Sequence, residues 1–190
     1  MYMGLGTCRT FQAMVMQWAW DAGVSERTSP LDCYLEATAQ VGKLTNAVLR
    51  EDLEGVIAGV GGVLIFVTLH LSLIGMDLPP AQLPKSVVVP CESDVVARAR
   101  RANIVNISDS LLAATRAIQL LQAEEAAPSD CVALKRETIT RAAVMVIQSL
   151  ILQAELYGVE LLLCGRSALD QLSSIPGQVA GASRKFWRAE

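Results

Sequence analysis

The sequence has few residues of the kinds that build metal and redox sites. His70 is its single histidine, and its five cysteines are widely spaced, with no Cys-x-x-Cys pair. Structural zinc sites need clustered cysteine and histidine ligands, and secreted domains pair their cysteines in even numbers. We therefore expect no metal site, and reduced thiols in a reducing intracellular compartment, either the cytoplasm or an organelle matrix.

Charged and aromatic residues are also scarce. They make up 18% and 5% of the chain, whereas 52% is hydrophobic. With a formal net charge of −3 and a pI near 5.3, the chain lacks the basic excess of a nucleic-acid binder, so we expect no dedicated nucleic-acid surface. A core of Leu, Val, Ile and Ala suits helices, and we predict an all-α fold. The first twenty residues carry one cation, Arg9, and do not have the pattern of a secretory signal.

One uncharged run, Val56–Met76, dominates the sequence. It is long enough to cross the hydrocarbon core of a bilayer, which takes about 20 apolar residues. A second run, Ala142–Cys164, aligns with it at a shift of 83 residues, which also places Gly75 opposite Gly158. Glutamines and glutamates interrupt the second run, and acids are rare in membrane spans. We predict that both runs are buried helices; a membrane span at residues 56–76 is the alternative.

Prolines divide the chain into two halves. Four prolines fall between residues 79 and 90, where no helix can continue. We expect a helical half at residues 8–80, a linker at residues 81–92, a second helical half at residues 93–174 and a basic-aromatic tail at residues 175–190.

Hydrophobic spacing and capping residues predict the individual helices. Thr10 is expected to cap a helix at Phe11–Ala22, and Ser29 and Pro30 to start the helix at Leu31–Arg50. The second half is predicted to form helices at residues 93–122 and 131–164, the latter in one or two pieces and ending at Gly165. The helix at Leu31–Arg50 is expected to face the core mostly with Leu35, Ala39, Gly42, Leu44, Ala47 and Val48.

Three segments between residues 11 and 78 follow one another in a recognisable order: Phe11–Trp18, Ala39–Leu44 and Gly59–Leu64. This order resembles the MazG-type, all-α nucleotide pyrophosphohydrolases. Phe11–Trp18 is similar to the first helix of that family, and the other two segments lie where its E-E-x-x-E-L and E-x-x-D-V-L motifs would be. In the family these acids bind magnesium, which neutralises a triphosphate and activates water. Residues 93–173 resemble the family more weakly, which implies two tandem, degenerate halves forming a pseudo-dimeric four-helix core.

The acidic motifs have lost their carboxylates in this chain. The corresponding positions are Ala39, Gln40, Lys43, Gly59 and Gly62. The nearby acids Glu36, Glu51, Asp52 and Glu54 are expected on a solvated helix face and in a capping turn. We therefore predict no catalytic, metal-binding or cofactor-binding residues and no cofactor. The resemblance then implies an inactive pseudoenzyme that serves as a structural or scaffold subunit of a larger assembly.

Two alternatives remain open at the level of sequence. The chain could be a metal-independent nucleotide-binding or regulatory module, in which Lys43 replaces magnesium as the counter-charge for phosphate. It could also be a small membrane subunit that spans with residues 56–76, with membrane contact the less favoured interpretation.

The placement of the aromatic residues predicts a protein partner. Trp18 and Trp20 are two residues apart on one helix, so we expect one to pack inward and the other to lie at an interface. Phe186 and Trp187 lie in the basic tail, outside either bundle. We expect a partner contact through these four aromatics. His70 has no catalytic partner at a recognisable spacing, and we expect it to be a hydrogen-bonded core or interface residue.

Overall fold

The fold was analysed on a computed structural model that describes residues 2–3, 5–83, 92–122 and 129–174. Over these residues the chain is all-α, as predicted. The six helices are α1 (Leu5–Asp21), α2 (Pro30–Arg50), α3 (Leu53–Leu73), α4 (Ser93–Gln122), α5 (Ser129–Glu155) and α6 (Leu161–Ser174). Two short strands, β1 (Tyr2–Met3) and β2 (Ala81–Gln82), pair antiparallel beside them, with Tyr2 opposite Gln82.

Helix α3, which contains most of the uncharged run, lies at the centre of the fold. It contacts α1, α2, α5 and α6. It is also the one helix in the described part of the chain that is long and apolar enough to cross a membrane, and 78% of its most apolar 18-residue window is buried inside the protein. The core helix of a bundle meets the same criteria of length and composition. Its burial among these helices is compatible with the prediction of a buried helix.

The start of α2 and the turn between α2 and α3 follow from local capping. Ser29 caps α2 in a capping box: its hydroxyl accepts a hydrogen bond from the Asp32 backbone N–H at 3.2 Å, and the Asp32 carboxylate accepts one from the Ser29 N–H at 2.8 Å. Glu51 ends α2 in the left-handed conformation, with φ 55°. The Asp52 side chain then accepts a hydrogen bond from the Gly55 N–H at 3.1 Å and caps α3. The predicted capping role of this turn is confirmed.

Three helices end at a glycine with positive φ: Gly23, Gly75 and Gly158. At Gly75 and Gly158 the hydrogen bonds correspond one to one at a shift of 83 residues; for example, the N–H of Met76 donates to Leu71 and that of Val159 to Ala154. The end of α1 at Gly23 has a similar 6→1 bond, from Val24 to Ala19, and this motif is common in proteins. The matching ends therefore add little to the case for duplication.

Some predicted boundaries and faces are wrong. Helix α1 begins at Leu5, so Thr10 is not its cap; the Thr10 hydroxyl instead donates to the Gly6 carbonyl within the helix. Gly165 does not end a helix: the second run breaks at Gly158, as the two-piece alternative allowed, and Gly165 is buried within α6. On α2, Leu44, Ala47 and Val48 are buried as expected, but Leu35, Ala39 and Gly42 are exposed. The buried face of α2 instead continues through Cys33, Ala37, Gln40 and Val41.

The two hairpins α2–α3 and α4–α5 contact each other through the pairs α2–α4 and α3–α5. This arrangement is compatible with the predicted pseudo-dimeric core, and also with an ordinary four-helix bundle. Between α4 and α5 the contacts are partly polar, because buried Asn103 donates to the Gln153 side chain at 2.9 Å and to the Ser149 carbonyl at 2.7 Å. Arg100 donates to the Leu156 carbonyl at the end of α5 and lies over the Tyr157 ring, 3.9 Å from its centroid. The tail at residues 175–190 and most of the predicted linker lie outside the described residues.

Glycines set the close packing of α2 on α3. A Cβ atom at Gly59 would lie 2.8 Å from the Leu44 Cβ and 2.9 Å from its Cα. Because the Leu44 backbone cannot move aside cheaply, we expect Gly59→Ala to lower the free energy of unfolding by about 1–3 kcal/mol, as overpacking does elsewhere. Urea denaturation will measure this change.

The matched control for this prediction is Gly42→Ala. Gly42 lies on the exposed face of α2, with no atom within 4 Å of an added Cβ. This substitution should raise the free energy of unfolding by about 0.5–1 kcal/mol, since alanine is the better helix former. An equal effect of the two substitutions would contradict the close packing at Gly59.

Candidate functional site

A cleft of about 440 Å³ lies between α2, α3 and α6. Helix α2 supplies one wall with residues three or four apart on a single face, α3 supplies a floor of glycine and alanine, and the last turns of α6 close the other side. The volume lies within the range of small-molecule sites. The lining residues are Gln40, Lys43, Asn46, Ala47, Arg50, Asp52, Gly55, Ala58, Gly59, Gly62, Phe66, Ala168, Gln171 and Leu172.

The floor of the cleft is largely backbone because α3 places glycines there. A Cβ at Gly62 would lie 2.8 Å from the Gln40 Oε1, and one at Gly55 would lie 2.5 Å from the Asp52 carboxylate. Longer side chains at these positions would fill the space between α2 and α3. The glycines therefore account for both the close packing of the helices and the open groove beside it.

The charges of the cleft are mixed. Lys43 and Arg50 line the α2 wall, and Asp52 lies at the turn where it caps α3. Glu36 lies two helical turns before Lys43 on α2 and is partly buried. Burial raises the pKa of its carboxyl group, and the positive charge of Lys43 opposes that rise. Two cations and the amides of Gln40, Asn46 and Gln171 could bind a small polar or anionic molecule.

Four of the five positions that the resemblance aligns with the acidic motifs lie together at this cleft. Gln40, Lys43, Gly59 and Gly62 line it, whereas Ala39 faces solvent. Among the acids predicted for a capping turn or a solvated face, Asp52 also lines the cleft, while Glu36 and Glu54 do not. Within the described ranges there is no group of three or more His, Cys, Asp or Glu that could hold a metal ion.

Three residues that line the cleft, Arg50, Asn46 and Gln171, were not predicted from the sequence. Arg50 could have been found from its spacing, since it lies seven residues after Lys43 and therefore on the same face of α2. Gln171 carries no such signal. It reaches the cleft because α6 packs across α3, where a Cβ at Gly61 would overlap the Cys164 carbonyl oxygen.

The aromatic residues of α1 divide as predicted. Trp18 is partly buried against the core, and Trp20 is 65% exposed. Phe186 and Trp187 lie outside the described residues, so their predicted contact stays a prediction.

The thiols whose positions are described are poorly suited to reaction. Cys8, Cys33 and Cys164 are buried and form no disulfide. Burial raises the pKa of Cys33 to about 12 and that of Cys164 to about 11, with nearby carboxylates adding to the effect. Such groups remain protonated thiols at neutral pH.

His70 is buried, as predicted, but its hydrogen bonding is incomplete. It lies beside a small apolar cavity near Cys33, Leu111 and Val146, and its Nε2 has no hydrogen-bond partner. Burial in these surroundings lowers the pKa of His70 to about 4. We therefore assign it to the core rather than to the cleft.

Comparisons of the chain with protein-family models, with curated proteins and with solved structures give no match.

The buried His70 predicts a defined pH dependence of stability. Its pKa is about 4 in the folded chain, below the ordinary value of 6.5, so the unfolded chain binds more protons between these two values. The contribution of neutral His70 is therefore fully present above pH 6.5 and is lost as the pH falls towards 4. A shift of this size corresponds to at most about 3 kcal/mol.

The comparison of wild type with His70→Gln isolates this effect, because all carboxylates titrate in both proteins. Urea denaturation at pH 7 and pH 4.5 should show a larger loss of stability for the wild type than for the variant. Equal losses would mean that His70 titrates normally in the folded chain.

Proposed function

We propose that this chain is a catalytically inactive, MazG-like pseudoenzyme that serves as a structural subunit of a larger protein assembly. The observation that carries the proposal is the content of the α2–α3 cleft. Positions that would hold the family's acids come together there, yet they present an amide at Gln40, an amine at Lys43 and bare backbone at Gly59 and Gly62. A magnesium site would need a set of oxygen ligands, chiefly carboxylates.

The packing of α2 on α3 supports the same proposal. A Cβ at Gly59 would already overlap the Leu44 backbone, so a glutamate could not occupy this position without separating the helices. In this chain the glycines serve helix contact instead of catalysis. A fold under selection for shape alone would keep such contacts.

The proposal predicts no hydrolysis of nucleotides. Purified protein with magnesium and a panel of nucleoside triphosphates should release no pyrophosphate above the rate without protein. Asp52 is the one carboxylate among the described residues that line the cleft. Magnesium-dependent release that disappears in Asp52→Asn, with helicity retained, would overturn the assignment as a pseudoenzyme.

The structural role would require a surface for a partner, and Trp20 is the strongest candidate among the described aromatics. Its side chain is 65% exposed on α1. Large exposed aromatics are enriched in protein interfaces, where a few of them carry most of the binding energy. We therefore assign the predicted partner contact on α1 to Trp20, with Trp18 packed behind it.

This role predicts that Trp20→Ala weakens the assembly at least tenfold without loss of helicity. The measurement is the stoichiometry of the complex recovered by mild affinity purification, together with circular dichroism. Val105→Ala is the matched control, because Val105 is 58% exposed on a different helix, α4. An unchanged complex in Trp20→Ala would remove α1 from the interface.

A second candidate function is metal-independent binding of a nucleotide or another phosphate compound. It is favoured by the side chains of Lys43 and Arg50, which line one wall of the cleft beside the Gln40 and Asn46 amides. Both cations can contact phosphate without a metal. The test is binding of ATP to the purified chain in the presence of EDTA. Binding that is lost in Lys43→Ala and Arg50→Ala but kept in the control Arg116→Ala would favour this candidate over the purely structural role.

A further inference from the structure

A second groove, of about 390 Å³, lies between α4 and α5 and shares no lining residue with the cleft between α2, α3 and α6. Each of the two helices supplies one wall, with lining residues three or four positions apart on a single face, and Leu83, which follows β2, also lines the groove. Its volume lies within the range of small-molecule sites. We call it the α4–α5 groove.

The charge of the α4–α5 groove is negative. Asp109, exposed on α4, is the one charged side chain among the described residues that line it. Arg141 lies one turn before the lining residue Met145 on α5, but its guanidinium contacts the Glu137 carboxylate at 2.8 Å. The groove therefore attracts a cation, in contrast to the cleft with Lys43 and Arg50.

Two amide side chains of the groove use their N–H groups within the protein. Asn103 donates from Nδ2 to the Ser149 carbonyl at 2.7 Å and to the Gln153 Oε1 at 2.9 Å. Gln148 donates from Nε2 to the Gln82 carbonyl at 2.9 Å. Because a backbone carbonyl accepts hydrogen bonds only, these contacts fix which end of each amide is nitrogen. The amide oxygens are the ends that remain for a ligand.

The oxygen of Asn103 lacks a hydrogen bond. Asn103 is 2% exposed at the inner wall of the groove, and its buried Oδ1 has no partner. Buried acceptors without a partner are uncommon in proteins, and water or a bound molecule often satisfies them. The inner wall therefore favours a molecule that donates hydrogen bonds.

Apolar side chains lie beside these acceptors. Met145 is 51% exposed on α5, and Leu152 and Leu83 are half-buried along the same groove. A hydrocarbon chain placed here would remove apolar surface from water on both sides of the contact. The groove thus combines one carboxylate, amide oxygens and an aliphatic surface.

An aliphatic ammonium ion matches this combination. Its –NH3⁺ group has three N–H donors, no acceptor and one positive charge, and amines of this kind stay protonated at pH 7. A phosphate or a carboxylate would instead meet the charge of Asp109 and the oxygens of Asn103 and Gln148. The groove therefore selects against the anions that suit Lys43 and Arg50.

We propose that the α4–α5 groove is a binding site for a small aliphatic amine in its ammonium form. The ammonium group donates hydrogen bonds to the Asp109 carboxylate and to the amide oxygens, and the hydrocarbon part lies against Met145 and Leu152. Free amines and the lysine side chain share this chemistry. The site does not depend on the role of the cleft, so it stands whether or not the chain is a pseudoenzyme.

The test is titration of the ¹⁵N-labelled full chain with n-pentylamine at pH 7, followed by NMR. The expected result is saturable shifts confined to residues 103–113 and 145–152, with a Kd in the millimolar range. The alcohol 1-pentanol, which has the same chain length and no charge, should bind about threefold more weakly or less. Equal affinities for the two compounds, shifts on other helices, or no shifts would each overturn the proposal.

Two variants at exposed positions of α4 separate charge from shape. Asp109→Asn should weaken binding of n-pentylamine about threefold, whereas Asp170→Asn on α6 is the matched control and should leave it unchanged. Ala113→Leu should lower the affinity by filling the groove, and Ala102→Leu, also exposed on α4 but outside the groove, should not. Parent-like binding in both Asp109→Asn and Ala113→Leu would overturn the site.

A second compound identifies the source of the ammonium group. N-acetyl-lysine methylamide presents a lysine side chain with a blocked backbone on either side. Tighter binding of this compound than of n-pentylamine would support the site and assign it to a lysine of a protein, and weaker binding would support the site and assign it to a free amine. Failure of both compounds to bind would overturn the proposal and leave the pyrophosphate and ATP experiments on the cleft unaffected.

Discussion

The close approach of two helices to the glycine-rich face of α3 is the contact on which the rest of the fold depends. Gly59 admits the backbone of Leu44 from α2, and Gly61 admits the Cys164 carbonyl from α6. Small residues allow helix axes to come close together, so that most of the helix between them is buried. Burial of this kind is compatible with the composition of α3, which is also long and apolar enough to cross a membrane.

The same glycines shape the cleft. Because α3 contributes backbone where other helices would contribute side chains, a groove remains beside its contact with α2, and the charged groups at that groove come from α2 and from the α2–α3 turn. Lys43 and Arg50 therefore face a surface of α3 that consists of backbone and apolar side chains and carries no polar side chain among the lining residues. This division supports binding or assembly as the proposed use of the cleft, with the walls rather than the floor providing selectivity.

The helices within each of the two hairpins are joined by a different kind of contact. Glycines join α2 to α3, whereas α4 and α5 meet around the buried amides of Asn103 and Gln153 and are tied at one end by Arg100. Polar contacts of this kind fix the register of two helices more strictly than apolar ones do, because each partner left alone would be costly in a dry environment. If the halves arose by duplication, their hairpins have since diverged in the interactions that stabilise them.

The sequence by itself determined most of the helices and several of their ends, because caps and breaks depend on residues a few positions apart: Ser29 with Asp32, Asp52 with Gly55, and the glycine at 75. It did not determine which face of α2 is buried. Leu35 is exposed and Gln40 is buried, since the partner of each position is set by α3 and α4 rather than by its own hydrophobicity. Only the tertiary structure brought Arg50 and Gln171 to one cleft, because that contact depends on how α6 crosses α3, and the spacing of residues within one helix carries no information about such a crossing.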